Sequence, residues 1–285
     1  MVWLNGLMMI HDKVTNMSVD LRAKAQWVWR ETLQIHRNAP ETRLASSLSA
    51  VEIYVALYYG GIVHIDPRNP RAEDRDRCII SKGHGSISMY PILADLGFYP
   101  LSELSRVCKT GGFLGGIPDP VIPGYETVNG SLGHGLGVGT GMALGLKTKQ
   151  SDRQVFVVTG DGELHEGANW EALMFASHHG LDNLHLIVDN NQISMLGHTE
   201  QIVSNGQLSA RLQAFGWDCL DVDGHDVLAV QAALLQMKSV ASGKPKALIA
   251  RTKKGHGVPN LEDAPLCHIM NPKPELLDVL LEESR

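Results

Sequence analysis

The chain has little that would tie it to nucleic acid, to a membrane or to an oxidising compartment. Its four cysteines, Cys78, Cys108, Cys219 and Cys267, are too scattered for a zinc site or a CxxC pair. They are expected as reduced thiols of a cytoplasmic protein, mostly filling core. No cluster of basic residues occurs and the formal net charge is −6, which argues against a nucleic-acid or membrane-surface protein. Residues 127–146 carry no Asp, Glu, Lys or Arg, but they are full of Gly, Ser, Thr and Asn and are too polar for a transmembrane span. The apolar start, Met1–Ile10, lacks a basic flank and a small-residue cleavage site, and Asp12 follows at once. Residues 1–20 therefore read as a docking arm or frayed leader, not a signal peptide. There is no GxGxxG and no GKS or GKT, so dinucleotide and P-loop sites lose their usual support.

What the sequence does have is alternation. Helical patterns fall near 20–37, 49–59, 86–96, 133–148, 165–179, 226–241 and 275–283. Strand patterns fall near 77–81, 154–159, 184–188, 218–222 and 246–251. That order predicts an α/β fold, a doubly wound and mostly parallel sheet with helices on both faces. At 285 residues with 44% hydrophobic content, one domain over 1–285 with a substantial core is expected. Ser49-x-x-Glu52 reads as a capping box and Gly60 as a helix stop. From Gly111 to Gly145 there are 12 glycines in 35 residues. Gly133, Gly137, Gly141 and Gly145 recur every fourth residue, which clears one helical face for close backbone packing.

Two short motifs carry the chemistry. The apolar run Val155–Thr159 delivers Gly160-Asp161-Gly162, and Leu184–Val188 delivers Asn190-Asn191. The intervening stretch from Glu163 to Gly180 reads as a helix closed by glycine. This is a βαβ unit with parallel neighbouring strands, so Asp161 and Asn191 should meet at one sheet edge. A carboxylate and a carboxamide oxygen are hard donors that suit Mg²⁺ or Ca²⁺, with phosphate oxygens completing the shell. The flanking glycines let a diphosphate approach the backbone and a helix N-terminus. Either motif alone is ordinarily a turn or an exposed loop; the spacing and the βαβ context make the pair informative.

The stretch GDGELHEGANWEALMFASHHGLDNLHLIVDNNQISMLG (160–197) resembles the thiamine diphosphate motif of transketolases. Its Glu-x-x-Glu-Gly continuation separates it from 2-oxoacid dehydrogenases, which share only the outer GDG and NN. EDRDRCIISKGHGSISMYPILADLGFYP (73–100), GSLGHGLGVGTGMALGLK (130–147) and TKKGHGV (252–258), followed by Leu266-Cys267-His268, resemble further segments of the family. The likeness runs from about Leu21 to His268.

This resemblance implies thiamine diphosphate as cofactor, with a metal held by Asp161, Asn191 and the backbone carbonyl of Ile193. Gly130, Ser131, Leu132, Gly160, Gly162 and Glu163 would flank the cofactor. His84 would lie over its thiazolium and diphosphate, and His268 near the diphosphate and donor. Of the thirteen histidines, these two fall on family motif positions; His256 stands where the family often has lysine or glycine. Glu166 and Glu171 match positions that line a polar link between paired active sites, although acids at a helix N-terminus need no such role. The implied reaction moves a two-carbon ketol unit from a ketose phosphate to an aldose phosphate.

Two departures bear on the substrate. Arg43, in Thr42-Arg43-Leu44-Ala45-Ser46, and Ile117, in Gly116-Ile117-Pro118-Asp119, stand where the family has histidines that hold the donor. A fixed positive charge and an apolar side chain in those places point to a different donor or a reshaped pocket. A third departure is length. Transketolases continue into a domain that supplies a glutamate to the cofactor's aminopyrimidine, whereas this sequence stops at Arg285. The resemblance is thus to the N-terminal half of a split transketolase, whose partner would be a separate C-terminal polypeptide in an α2β2 assembly. The rival expectations are another thiamine diphosphate enzyme component, like a 1-deoxyxylulose-phosphate synthase or a 2-oxoacid dehydrogenase, a nucleotide-binding module, and a non-catalytic cofactor-binding subunit.

Overall fold

The computed structural model describes residues 19–284, so the arm expected over 1–20 lies outside the described residues apart from Val19 and Asp20. The helices are α1 (Leu21–Asn38), α2 (Leu44–Leu48), α3 (Val51–Tyr59), α4 (Met89–Asp95), α5 (Gly135–Thr148), α6 (Gly167–His178), α7 (Thr199–Ile202), α8 (Leu208–Ala214), α9 (Val227–Ser239) and α10 (Pro274–Glu283). The strands are β1 (Arg77–Ile80), β2 (Val155–Gly160), β3 (Leu184–Asn190), β4 (Asp218–Asp223) and β5 (Lys246–Arg251). Short 3₁₀ turns occupy Gly83–Gly85, Leu101–Arg106 and Gly162–His165. The ends follow local chemistry. Asp20 accepts hydrogen bonds from the Arg22 and Ala23 amides at 3.0 and 3.2 Å, Asp226 caps α9 in the same way, and Pro274 opens α10.

All five strands run parallel in the order β1-β2-β3-β5-β4. Their alternate residues enter two cores, as the period of two along a strand requires. Cys78, Ile80, Phe156, Val158, Ile187 and Leu248 pack with α1, α3, α4 and α9. Ile79, Val155, Val157, Leu186, Val188 and Ile249 pack with α5, α6 and α8. A third core ties Leu33 of α1, Leu44 and Leu48 of α2 and Leu277 of α10 to Ile193, Val258 and Cys267 in the loops beyond the strands. This is the doubly wound sheet that the alternation predicts, with apolar runs because both faces are covered. No helix among the described residues is long and apolar enough to cross a membrane.

Three local expectations are corrected. Ser49 and Glu52 do not form a capping box: α3 starts at Val51, and the Ser49 hydroxyl donates to the Ser46 carbonyl and to Asp189. Glu52 instead accepts from His225, so tertiary partners outcompeted the local cap. The helices expected from 86 and 165 begin at Met89 and Gly167, each after a 3₁₀ turn that carries site residues. The glycines of α5 divide differently from their four-residue spacing. Gly135 and Gly139 are the pressed ones, since a Cβ would lie 2.3 Å from the Ser81 hydroxyl just past β1 at the first and 2.5 Å from a Val157 methyl at the second, while Gly137, Gly141 and Gly145 meet nothing within 4 Å.

Candidate functional site

Strand register assembles the site. Gly160 lies opposite Asp189 in the β2–β3 pair, so Asp161 and Asn191 leave the sheet together at its carboxyl edge. Both side chains are buried, at 2% and 6% exposure, which is unusual for a carboxylate and a carboxamide and requires partners. Asp161 accepts from the Thr199 hydroxyl at 3.0 Å, and the Asn205 side chain braces its backbone carbonyl at 2.9 Å. Burial, and then the charge of Asp189, push the Asp161 carboxyl above its usual range, against the Thr199 hydrogen bond. Asn191 Oδ1 accepts from the Ile193 amide at 3.2 Å, and its Nδ2 donates to Asp189 at 3.2 Å.

Behind these donors lies a network that the motifs did not reveal. Lys82 is 1% exposed and Asp189 fully buried, and they form an ion pair. Lys82 also donates to the Ser46 carbonyl at 3.0 Å, and Asp189 accepts from Ser49, Thr252 and Asn191. Burial opposes the charge on Asp189, yet Lys82 and the hydroxyls hold its carboxyl below the usual carboxylate range. A second lysine, Lys254, donates to the Ile193 carbonyl at 2.8 Å; burial, and then Lys82, bring its ammonium down to about 8. The Ile193 oxygen that the resemblance implies as a metal ligand therefore already serves a cation belonging to the chain.

Glu163 knits three glycine-bearing loops together. Its carboxylate accepts from the Ser81 hydroxyl, from the Gly133 amide at 3.0 Å and from the Gly160 amide at 3.4 Å. It is 2% exposed and turned inward, so its role in the fold is to hold the cradle's walls. Gly133 has φ +85° and a Cβ there would lie 2.6 Å from Glu166 Cβ, so this turn admits only glycine without rearrangement. Gly130 has φ +109°, and a Cβ on it would be 3.4 Å from Ile117, which places Ile117 beside the Gly130-Ser131-Leu132 loop with half its surface exposed. Around Gly160 nothing stands within 4 Å of an added Cβ.

His84, on the 3₁₀ turn after β1, and His268 come together with ring centroids 5.0 Å apart and planes at 58°. The Ser46 hydroxyl lies 3.4 Å from His268 Nδ1. Burial, then Lys82, hold His84 well below the usual imidazole range; burial, then Lys254, Arg43 and Lys82, hold His268 down to about 4. Both rings are therefore neutral at ordinary pH, able to donate from one nitrogen and accept at the other. Arg43, half-buried ahead of α2, adds to the positive field at both rings. Glu166 and Glu171 are exposed at the start of α6. Sequence reading missed Ser46, Ser49, Lys82, Asp189, Thr199, Thr252 and Lys254. The available signals were Lys82 beside His84 and Asp189 two residues before Asn191, but nothing local shows that such charges are buried and paired.

A second group of titratable side chains stands away from this site. Glu52, His225 and His256 approach one another beside a cavity of about 480 Å³ that Trp29, Asp223 and Asp226 also line. His225 Nε2 accepts from the Lys253 amide at 2.8 Å, so its proton is on Nδ1, which donates to Glu52 at 3.1 Å. The two imidazoles stack at 3.6 Å and 20°, so their nitrogens do not converge on a common point.

A divalent cation and a diphosphate fit the first site by the chemistry of its donors: two hard oxygens from Asp161 and Asn191, and open space around Gly160. Residues 38–271 match the family described as transketolase, thiamine diphosphate binding domain. The chain is 36% identical to one of the subunits of an apulose-4-phosphate transketolase from Actinobacillus succinogenes, over 94% of this chain and 97% of that protein. It is 32% identical to a 6-deoxy-6-sulfo-D-fructose transketolase subunit from a Clostridium species, over 95% of this chain and 98% of that one. Its fold superposes on the crystal structure of a transketolase from Campylobacter jejuni with a TM-score of 0.79 and 27% identity, covering 94% of this chain but 48% of that one. The chain thus spans nearly the whole of the transketolase subunits it matches and about half of the longer enzyme. By its diphosphate-edge geometry, its matched domain and these full-length relatives, the chain belongs to the transketolase family.

Proposed function

We propose that the chain is the cofactor-diphosphate-binding subunit of a two-chain transketolase that transfers a two-carbon ketol unit from a ketose phosphate to an aldose phosphate. The observation that carries this is the burial of Asp161 and Asn191 at the ends of adjacent parallel strands, with hard oxygens gathered at one edge. In this reading Asp161 and Asn191 would hold Mg²⁺, with Ca²⁺ an acceptable substitute, and the Ile193 carbonyl, which accepts from Lys254, would be the third protein ligand. Thiamine diphosphate supplies the nucleophilic carbon that carries the ketol unit.

The chain's own residues bind, orient and hold protons. The Gly130–Leu132 loop, Gly160 and Gly162 let the diphosphate approach backbone amides, with Glu163 bracing the loops. His268 has Nδ1 turned to Ser46, which leaves Nε2 for a donor oxygen, and His84 stands beside it. Arg43 and Ile117 flank this pocket and set donor choice. Glu166 and Glu171, exposed at the head of α6, face the partner and form the polar link between paired sites.

The partner is a separate C-terminal transketolase subunit that provides the glutamate for the aminopyrimidine. The assembly is α2β2 and works in the cytoplasm, with residues 1–285 forming one domain. The names of the full-length relatives, which denote one subunit of a transketolase, support the two-chain reading. The test is to purify the tagged chain from its host, identify co-purifying polypeptides by mass spectrometry and assay bound thiamine. A stoichiometric second chain and thiamine diphosphate are expected, with Mg²⁺-dependent ketol transfer when ketose phosphates are supplied. A lone chain that takes up no thiamine diphosphate with added Mg²⁺ would overturn the proposal.

A further inference from the structure

We infer that Asp189 is a positioning residue that sets which way round the Asn191 carboxamide sits, and so keeps its oxygen available to the metal. The inference rests on the reading of Asp161 and Asn191 as the cation site. The two ends of a carboxamide are nearly identical in shape, so packing cannot tell oxygen from nitrogen; only hydrogen-bond partners can. At Asn191 the choice is made from two sides, by the Ile193 amide, which donates to Oδ1 at 3.2 Å, and by Asp189. Its Oδ2 accepts from Lys82, from Ser49 at 2.6 Å and from Asn191 Nδ2 at 3.2 Å, while its Oδ1 accepts from Thr252. A carboxylate paired with a buried ammonium and surrounded by donors has no proton to give, so the Asn191 atom facing it must be the NH₂. That turns Asn191 Oδ1 away from Asp189. There it accepts once, from the Ile193 amide at 3.2 Å, and keeps a second lone pair for a cation. Flipped, Asn191 would set an oxygen against the carboxylate and present the site with an NH₂, which is no ligand for a hard metal.

The burial of the Lys82–Asp189 pair fits this role. A fully desolvated ion pair adds little net stability compared with apolar residues of the same volume, so its worth lies in the orientation it imposes. The pair reaches Asn191 from behind, and the three hydroxyl and ammonium donors fix Asp189 in turn. Nothing else among the described residues hydrogen-bonds Asn191 Nδ2.

Substitutions at 189 separate orientation from charge. In Asp189→Asn the new oxygen can face Lys82, Ser49 and Asn191 while its NH₂ donates to Thr252, whose hydroxyl can turn to accept. Asn191 then keeps its orientation although the charge is gone. In Asp189→Leu the acceptor is lost. The experiment measures Mn²⁺ affinity at saturating thiamine diphosphate, from the electron paramagnetic resonance signal of the free ion, on the chain with its co-purified partner. Asp189→Asn is expected to stay within about threefold of the parent and Asp189→Leu to weaken Mn²⁺ at least about tenfold, the range for partners that orient a metal ligand. Either substitution strands the Lys82 charge, so Lys82→Met with Asp189→Asn and Lys82→Met with Asp189→Leu are compared as well. The same drop is expected between those two, with thermal midpoints recorded for each. Equal affinity of the two double variants, or equal losses in Asp189→Asn and Asp189→Leu, would overturn the orienting role. A parent protein that binds no Mn²⁺ with thiamine diphosphate would instead overturn the cation-site reading beneath it.

Discussion

Two groups of polar side chains gather around the loops after the strands, one of them drawing in Glu52 from α3, and they point in opposite directions on what makes a metal site. Glu52, His225 and His256 bring three good donor atoms close, yet one imidazole proton is committed to Glu52, one nitrogen to the Lys253 amide, and the rings lie nearly parallel. Asp161 and Asn191 offer only two side-chain oxygens. Each is fixed by a partner, Thr199 or Asp189, at a strand edge where Gly160 leaves room for a further group. Proximity of donor atoms is common, whereas lone pairs that converge, held there by partners, are what a cation needs. The first group reads as a joint that ties α3, the turn before α9 and the 252–257 segment together, with Trp29 donating to the His256 carbonyl at 2.9 Å.

Asp161→Ala should separate the two groups most strongly. Loss of the one charged oxygen at the site is expected to weaken thiamine-diphosphate-dependent metal binding on the order of a hundredfold or more and to abolish ketol transfer, read by Mn²⁺ titration and product formation. Transfer at the parental rate by Asp161→Ala would remove the site from the reaction. Gly133→Ala tests the cradle's walls. A side chain there must take φ +85° and displace Glu166, so a loss of about 1–3 kcal/mol is expected with weaker cofactor retention, measured by urea unfolding and thiamine content.

Glu52→Gln together with His225→Asn should do the reverse. Each lost hydrogen bond costs about 0.5–1.5 kcal/mol, while metal dependence and transfer stay within threefold of the parent. A shift in metal dependence would show that this cluster holds an ion after all. The remaining effect is in pH. The unfolded chain takes up a proton at a histidine near the ordinary value of 6.5, whereas folded His268 does so at about 4. Its contribution to stability is therefore complete above about pH 6.5 and is lost as pH falls through about 4. His268→Gln should flatten that limb of the urea midpoint between pH 7 and 4, and an unchanged slope would show that His268 is not held neutral by the fold.

Much of the site was legible because strand order and register are written in local pattern. A run such as Val155–Thr159 is apolar throughout because helices cover both faces of a parallel sheet, and the glycine after the next helix marks where the chain turns back. From those two facts Asp161 and Asn191 had to meet. The Ser49–Glu52 box was misread for the complementary reason. A serine three residues before a glutamate is a good cap only if neither has a better partner, and Asp189 and His225 lie 140 and 173 residues away along the chain. The glycine spacing in α5 likewise indicated close packing without saying which glycine would meet the sheet.

Local pattern was enough for the alternation of elements, the two motifs at strand ends and the family they belong to, since each depends on residues within a few turns of one another. Which polar groups are buried, and what each one faces, emerged only in the folded chain. The pairing of Lys82 with Asp189, the fixing of Asn191, the inward turn of Glu163 and the neutrality of His84 and His268 all depend on groups brought together from distant positions. The cost of burying a charge and the partner that offsets it are properties of the assembled site, not of any segment.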